Sequence, residues 1–456
     1  MPEIPEMLEQ SRTAPNEPPV RPNGKPSNKE IFVWCLYDFA NSAFPTLIVT
    51  VAYSVYFKTV VAGGGGRGDL LWGISLSAAM ILAVLITPPL SAVADRRGTR
   101  KRMLLTYSAV CICGTALLAG VGSGMVAAGM ALFIIANVGF EGALIFYNAF
   151  LPDISTPETI GKVSGWGWGL GYFGGLLCLF LVRPFLEGGF APENLPLFRT
   201  SFFAVAAFFA VFTIPIVIWL REPPPATPSR PVTPGRPGET AVFAGAFRDL
   251  ARTFRELRRS EGALLFLAAF FLYNDGIVTV IAFSSIYAVS TLGYSMGETL
   301  TLFIAVQASA AAGAFALGYL TDAWGARKTI LLTLANWCAV VVVAFMIQSK
   351  GVFFGISLLA GLSLGASQSA SRSLMSRFIS RRETAQSYAF YGVCGKMSSV
   401  LGPLVFGGVS ALMGSQRPAI LSVLVFFIAG GALLWRVPEA EIRERSPDDA
   451  GLFDEA

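Results

Sequence analysis

Hydrophobic residues follow one another along this chain in long blocks, rather than at the short spacing of a soluble helix or strand. About 20 apolar residues are needed to cross a bilayer, and runs of that length recur between short polar loops. Each such run predicts a transmembrane helix. The twelve predicted helices cover residues 32–57, 70–93, 103–121, 125–150, 162–182, 199–220, 262–289, 298–320, 329–348, 352–375, 384–411 and 418–436.

A proline-rich segment divides this series of apolar runs in half. "REPPPATPSRPVTPGRPGET" follows the sixth run, and the next stretch, "FRDLARTFRELRR", has the character of a basic amphipathic helix on the membrane surface. A solvated helix is an equally good interpretation of that stretch. The predicted organisation is a disordered cytosolic tail (1–30), a six-helix bundle (31–220), a cytosolic linker with the basic amphipathic helix (221–260), a second six-helix bundle (261–437) and a cytosolic tail (438–456).

A short repeat relates the two predicted bundles. "SAVADRRGTRKRMLL" at 91–105 aligns without a gap with "GYLTDAWGARKTILL" at 318–332, and each copy joins the second and third apolar runs of its half. A repeat in this orientation predicts two parallel, pseudo-symmetric halves. The fold class is therefore an all-α membrane protein of twelve transmembrane helices in two six-helix bundles.

Composition and charge agree with this interpretation. The chain is 54% hydrophobic and 14% charged, whereas a soluble domain is about a quarter charged. Most of its 34 Lys and Arg residues fall on the loops that share a side with the N-terminus. The positive-inside rule therefore places both termini in the cytoplasm, and we expect a bacterial inner membrane. The opposite loops hold only Lys58, Arg67, Arg183, Arg199, Lys350 and Arg417.

Several kinds of chemistry are excluded or disfavoured. The chain has no histidine, which rules out a His-ligated zinc site and a Ser-His-Asp triad. Its six cysteines lie inside apolar runs and are interpreted as small buried hydrophobes. The glycine-rich "AGGGGRGDLL" at 62–71 lacks the Gly-Lys-Ser/Thr ending of a phosphate-binding loop. We therefore expect no enzyme, no metal, no cofactor and no nucleic-acid partner.

The repeated loop carries a pattern with a known counterpart. Asp-x-x-Gly-x-Arg-Lys, present twice at matching positions, resembles the signature loop of the major facilitator superfamily. In that superfamily the loop aspartate contacts the eleventh helix, or the fifth for the second copy, and holds one face closed. The resemblance implies a gating role for Asp95, Gly98, Arg100, Lys101, Asp322, Gly325, Arg327 and Lys328, although the basic pairs are equally well explained by membrane topology.

A narrower resemblance covers nearly the whole membrane region. "LYDFANSAF" (36–44), "YNAFLPDI" (147–154), "SGWGWGLGYFGG" (164–175), "FLYNDG" (271–276), "QSASRS" (368–373) and "GKMSSVLGP" (395–403) are similar to the autophagy-related vacuolar amino-acid effluxers and their bacterial relatives. This resemblance implies a secondary transporter that exports small solutes, with amino acids as the substrates of the fungal members.

Polar residues inside the apolar runs are the candidate site. Ionisable residues within membrane helices are costly and usually face a cavity or one another. The superfamily's cavity is lined by helices 1, 4, 7 and 10, and each of these carries one ionisable residue here. The candidate substrate-binding or coupling residues are Asp38, Asn41, Glu141, Tyr147, Tyr273, Asp275, Gln368, Arg372 and Lys396.

These charges suit a zwitterion. Arg372 can hold a carboxylate bidentately, while an acid such as Asp38 can hold an ammonium group or carry a coupling proton. Sodium stays open as the coupling ion. The alternative at this point is internal pairing, such as Asp38 with Lys396 or Glu141 with Arg372. The sequence also leaves open an exporter of larger amphipathic compounds, and a non-transporting sensor or lipid scramblase. We expect a monomer surrounded by lipid.

Overall fold

The structure is a computed structural model that describes residues 27–155, 159–222, 248, 255, 261–378 and 384–438. All regular secondary structure in this part of the chain is helical, and eleven helical segments are long and apolar enough to cross a membrane. The tails predicted at 1–30 and 438–456 and the basic helix predicted within 221–260 lie almost wholly outside the described residues, so they stay predictions.

Twelve helices, the last two of them each divided into two segments, correspond one by one to the predicted runs. The first half contains α1 (Asn28–Val61), α2 (Gly65–Arg97), α3 (Arg100–Leu118), α4 (Val126–Ala149), α5 (Ile160–Leu186) and α6 (Leu195–Trp219). The second half contains α7 (Glu261–Leu292), α8 (Met296–Trp324), α9 (Ala326–Met346), α10 (Lys350–Phe378), α11a (Thr384–Met397), α11b (Leu401–Met413), α12a (Gln416–Ser422) and α12b (Leu424–Trp435).

Helix α1 changes its winding partway across the membrane. It is α-helical over Asn28–Asn41 and becomes π-helical over Phe44–Val51 and again over Phe57–Val61. Pro45 lies in the first turn of the first π segment, and because proline has no backbone N–H it cannot continue a regular α-helical ladder. π-helical turns are rare and often occur at functional sites.

Helix α11 is interrupted between α11a and α11b. Side chains from other helices bind the polar groups at this break: Asn274 Nδ2 donates to Ser398 Oγ at 2.7 Å, and Ser77 Oγ donates to the Val400 carbonyl at 2.7 Å. Irregular backbone at membrane depth is tolerated only where such partners exist. The break is therefore a built part of the contact between the two halves, because Ser77 belongs to α2.

The two halves are in close contact at one side of the membrane. We call the side at which α1 begins the terminal side, and the opposite side the distal side. On the distal side α2 packs against α11b so closely that Gly66 and Gly73 have no room for a Cβ atom. Trp72 Nε1 also donates to the Ala282 carbonyl of α7 at 3.3 Å. In the described structure the distal side is closed.

Candidate functional site

A cavity of about 270 Å³ lies between the two halves. The first half contributes its polar end, with Asp38, Ser42 and Thr46 of α1 and the aromatic residues Trp168 and Tyr172 of α5. The second half contributes a mostly apolar wall. That wall includes Phe283, Phe303, Trp337, Val340, Phe353, Phe406, Ile420 and Val423.

Asp38 of the first half and Arg372 of the second lie close enough for an electrostatic interaction near the polar end. The Asn41 side chain also lies near the Asp38 carboxylate. The Arg372 guanidinium lies over the Trp168 ring, 4.7 Å from its centroid, a cation–π geometry. Asn41 is buried, and its Oδ1 has no hydrogen-bond partner among the described residues.

Glu141 of α4 and Lys396 of α11a form a second charged pair between the halves. Lys396 Nζ contacts the Glu141 carboxylate and also the Glu141 carbonyl oxygen at 3.2 Å. The pairings considered from the sequence, Asp38 with Lys396 and Glu141 with Arg372, are therefore wrong. The reason is geometric: Lys396 reaches α4 from α11a, which leaves Arg372 of α10 to face α1.

Asp275 does not line the cavity, contrary to the expectation from its position on the seventh helix. Its carboxylate is fully buried and accepts the Gly402 N–H at 2.9 Å at the start of α11b. A carboxylate at a helix N-terminus satisfies free N–H groups and the helix dipole. In the described structure Asp275 binds α11b after its break.

Tyr273 and Gln368 also lie in helix contacts rather than on the cavity wall. The Tyr273 hydroxyl is hydrogen-bonded to Ser371 Oγ at 2.7 Å, which ties α7 to α10. Gln368 Nε2 donates to Asn274 Oδ1 at 3.4 Å. The structure therefore groups these two residues with the α7–α10–α11 contact.

Tyr147 of α4 packs against α1 next to the polar end of the cavity. Its ring stacks on Trp34 with centroids 4.2 Å apart, and Trp34 Nε1 donates to the Tyr147 carbonyl at 2.9 Å. The hydroxyl of this buried tyrosine has no hydrogen-bond partner among the described residues. Tyr147 thereby fixes α1 against α4 near Asp38.

The repeated loops make the predicted turns. Gly98 has φ of 61° and Gly325 has φ of 91°, conformations that glycine adopts without strain. Arg100 pairs with Asp153 at 3.1 Å, within the first half. The Lys101 backbone N–H donates to the carboxylate of Glu222, which follows the end of α6, at 2.9 Å.

The second loop resembles the first in part. Arg327 donates to the Trp435 carbonyl within the second half, and Lys328 is exposed. The side chains of Asp95 and Asp322 lie outside the described part of the structure. The gating role of these two aspartates therefore stays a prediction.

Two functional candidates were missed because they were assigned to loops. Lys58 and Asp69 form a buried ion pair, with Lys58 Nζ 2.9 Å from Asp69 Oδ1. Helix α2 begins at Gly65 rather than at residue 70, so Asp69 lies within the helix. The signal available in the sequence was an acid directly after a glycine-rich turn.

The chain is similar to curated proteins from bacteria and fungi. It is 27% identical over 414 residues to the uncharacterized MFS-type transporter YxiO of Bacillus subtilis (strain 168), covering 89% of this chain and 94% of that protein. It is 25% identical over 429 residues to autophagy-related protein 22 of Coccidioides immitis (strain RS), covering 78% of this chain and 70% of that protein.

Two solved structures share its fold. A D-xylose–proton symporter superposes with a TM-score of 0.67 at 14% identity, covering 91% of this chain and 99% of that one. A bacterial homologue of the human lysosomal transporter Spinster, inward-facing and occupied, gives 0.66 at 15% identity, covering 91% and 97%. This likeness confirms the major facilitator fold.

The family assignment rests on most of the membrane region. Residues 70–446 match the family described as "Vacuole effluxer Atg22 like". The match agrees with the resemblance noted in the sequence, with the twelve-helix fold, and with the similarity to YxiO and autophagy-related protein 22. The chain is a membrane transporter of the major facilitator type and belongs to the Atg22-like vacuole effluxer family.

Proposed function

We propose that this transporter carries a small zwitterion with an apolar side, such as an amino acid, by alternating access. The observation that carries the proposal is the position of Asp38 and Arg372. Asp38 lines the polar end of a cavity whose remaining wall is mostly apolar, and Arg372 of the other half lies within electrostatic range of this carboxylate.

A zwitterion can enter between these two charges without leaving either one unpaired. Its ammonium group replaces Arg372 as the partner of Asp38, and its carboxylate takes the guanidinium bidentately. Both charges are partly exposed in the described structure, but a bound ligand that excludes water and carries a single charge leaves one of them without a counter-ion, which costs about 3 kcal/mol. The geometry therefore favours molecules that carry both charges and bridge both halves.

The apolar wall selects the rest of the molecule. Rings of Phe283, Phe303, Phe353 and Phe406 line the cavity beyond the charged end, and such walls accommodate aliphatic or aromatic groups. The same wall supports a second candidate function, the export of larger amphipathic compounds. The cavity volume of about 270 Å³ favours the smaller solutes.

The Glu141–Lys396 pair supports proton coupling. It bridges α4 and α11a and does not line the cavity, so it is free for a task other than holding substrate. Protonation of Glu141 would release Lys396 and allow α11a to leave α4. A sodium ion is the alternative coupling ion. From the distribution of Lys and Arg we propose that both termini lie on the cytoplasmic side of the membrane. We expect this membrane to be a bacterial inner membrane and the protein to be a monomer.

The test is binding and transport by purified protein in proteoliposomes, with pH and sodium gradients imposed separately. Amino acids are compared with their methyl esters and with the corresponding amines, which keep only the positive charge. We expect the single-charge analogues to bind about a hundredfold more weakly, because the bound analogue excludes water and leaves one site charge without a counter-ion. Asp38→Asn and Arg372→Gln should abolish this preference.

Ser284→Ala is the matched control, because Ser284 lines the cavity but its hydroxyl bonds within α7. Equal binding of zwitterions and single-charge analogues by the wild type would overturn the zwitterion proposal. Preferential binding of hydrophobic cations would support the amphipathic exporter instead. Lipid movement without any gradient would identify a scramblase.

A further inference from the structure

A buried polar cluster outside the cavity joins the two halves on the distal side. Asp69 of α2 is fully buried and pairs with Lys58 of α1, both in the first half. The same carboxylate accepts a hydrogen bond from Ser410 Oγ of α11b at 2.6 Å. It also accepts one from Gln416 Nε2 of α12a at 2.9 Å. We call Lys58, Asp69, Ser410 and Gln416 the latch.

The surroundings of the latch hold its members in position. Thr291 Oγ1 donates to Gln416 Oε1 at 2.6 Å, which orients the amide nitrogen towards Asp69. Gly407 lets α11b approach the Asp69 backbone without room for a side chain. Lys58 and Gln416 are each at most 5% exposed. The carboxylate therefore makes all its described contacts away from water.

We propose that the latch is the contact that keeps the distal side closed, and that it opens between Asp69 and the second half. The two hydrogen bonds from Ser410 and Gln416 cross the halves and must break when the distal side opens. The Lys58–Asp69 ion pair lies within the first half and stays intact.

This division makes the closure reversible. A charge that loses its counter-ion while it is still buried is strongly unfavourable. Here Asp69 keeps its counter-ion as the halves part, while water replaces the hydroxyl and amide donors. The latch therefore favours the closed state by charge-assisted hydrogen bonds alone, each of which is stronger than a neutral one.

The test is a distance measurement by electron paramagnetic resonance on the full chain in lipid nanodiscs. Spin labels are attached through Ser123→Cys in the α3–α4 loop and Gln348→Cys in the α9–α10 loop, both exposed, in a background whose six native cysteines are replaced. One label reports the distal end of each half. No substrate is needed, so the result does not depend on the proposed function.

Ser410→Ala and Gln416→Leu each remove one donor to Asp69 and leave the ion pair in place. We expect each variant to raise about tenfold the ratio of molecules that show the long distance to molecules that show the short one. The double variant should raise this population ratio further. Ser201→Ala is the control, because its buried hydroxyl donates to the Phe198 carbonyl within α6. It should leave the distances unchanged.

Unchanged distances in folded Ser410→Ala and Gln416→Leu would overturn the proposal. A lower unfolding temperature with unchanged distances would make the cluster a static brace, which also overturns it. If the double variant does not fold, the single Ser410→Ala variant decides, since it removes only one hydroxyl.

Discussion

Asp38 and Asp275 occupy the first helix of each half, yet their surroundings differ completely. Asp38 lines the cavity and faces Arg372 of the other half. Asp275 is fully buried and holds the backbone of α11b within its own half. Pseudo-symmetric helices have thus placed the same residue type on the cavity wall in one half and in a helix contact in the other. The first half supplies the carboxylate of the polar end, and the second supplies the nearby Arg372 and most of the apolar wall.

The largest expected effect is a difference in the stability of the protein when each of these two aspartates is replaced by alanine. Asp275→Ala leaves the Gly402 N–H group at the start of α11b without its acceptor inside the membrane, which should cost about 3 kcal/mol. Asp38→Ala should leave the unfolding temperature close to that of the wild type while abolishing substrate binding. Thermal unfolding in detergent and ligand binding measure the two effects. A stable Asp275→Ala protein with full loss of binding would reverse the comparison.

A smaller effect is expected at the second charged pair. Lys396→Met leaves Glu141 without its counter-ion and should cost about 2 kcal/mol, below the value for fully buried pairs. The reason is that the two side chains keep 13% and 11% exposure. The double variant Glu141→Gln with Lys396→Met should recover most of this stability.

The same variants test coupling. Uptake driven by a pH gradient should be lost in Glu141→Gln, whereas exchange of substrate at equal pH should continue. Gradient-driven uptake by a folded Glu141→Gln protein would remove this pair from the coupling mechanism.

The smallest expected effect concerns the aromatic side of the polar end. Trp168→Leu removes the ring beneath Arg372 but keeps an apolar side chain, so affinity for a zwitterion should change only about threefold to fivefold. Trp166→Leu is the control, because Trp166 is exposed and lies outside the cavity wall. Titration calorimetry measures both. A hundredfold loss would show that Trp168 binds the substrate itself.

The fold could be predicted because hydropathy and charge distribution are local properties of the sequence. The apolar runs, the repeat at 91–105 and 318–332, and the glycines of the two loops all correspond to the structure. Segment ends were less accurate: α2 begins at Gly65, five residues before the predicted start.

The site was predicted only in part because helical spacing does not show which way a stripe faces. Asp38 met the expectation of a cavity position, whereas Asp275 and Tyr273 point to neighbouring helices. Asp275 binds the backbone at the break in α11. The sequence does not show this break, because it is held by contacts with other helices. The Lys58–Asp69 pair was hidden because charges next to glycines are typical of loops as well as of buried pairs.

The unusual winding of α1 allows two of its residues, Asp38 and Ser54, to contact the second half of the molecule. In a regular α-helix Ser54 would project about 160° away from Asp38, on nearly the opposite side. Yet Asp38 faces Arg372 and Ser54 lies 3.3 Å from Ser285, so both reach the second half. The wide turns at Phe44–Val51 absorb the difference in phase. The π-helical segment thus rotates the end of α1 so that Ser54 faces the same neighbours as Asp38. Any deletion within it would turn one of these two side chains away from the second half.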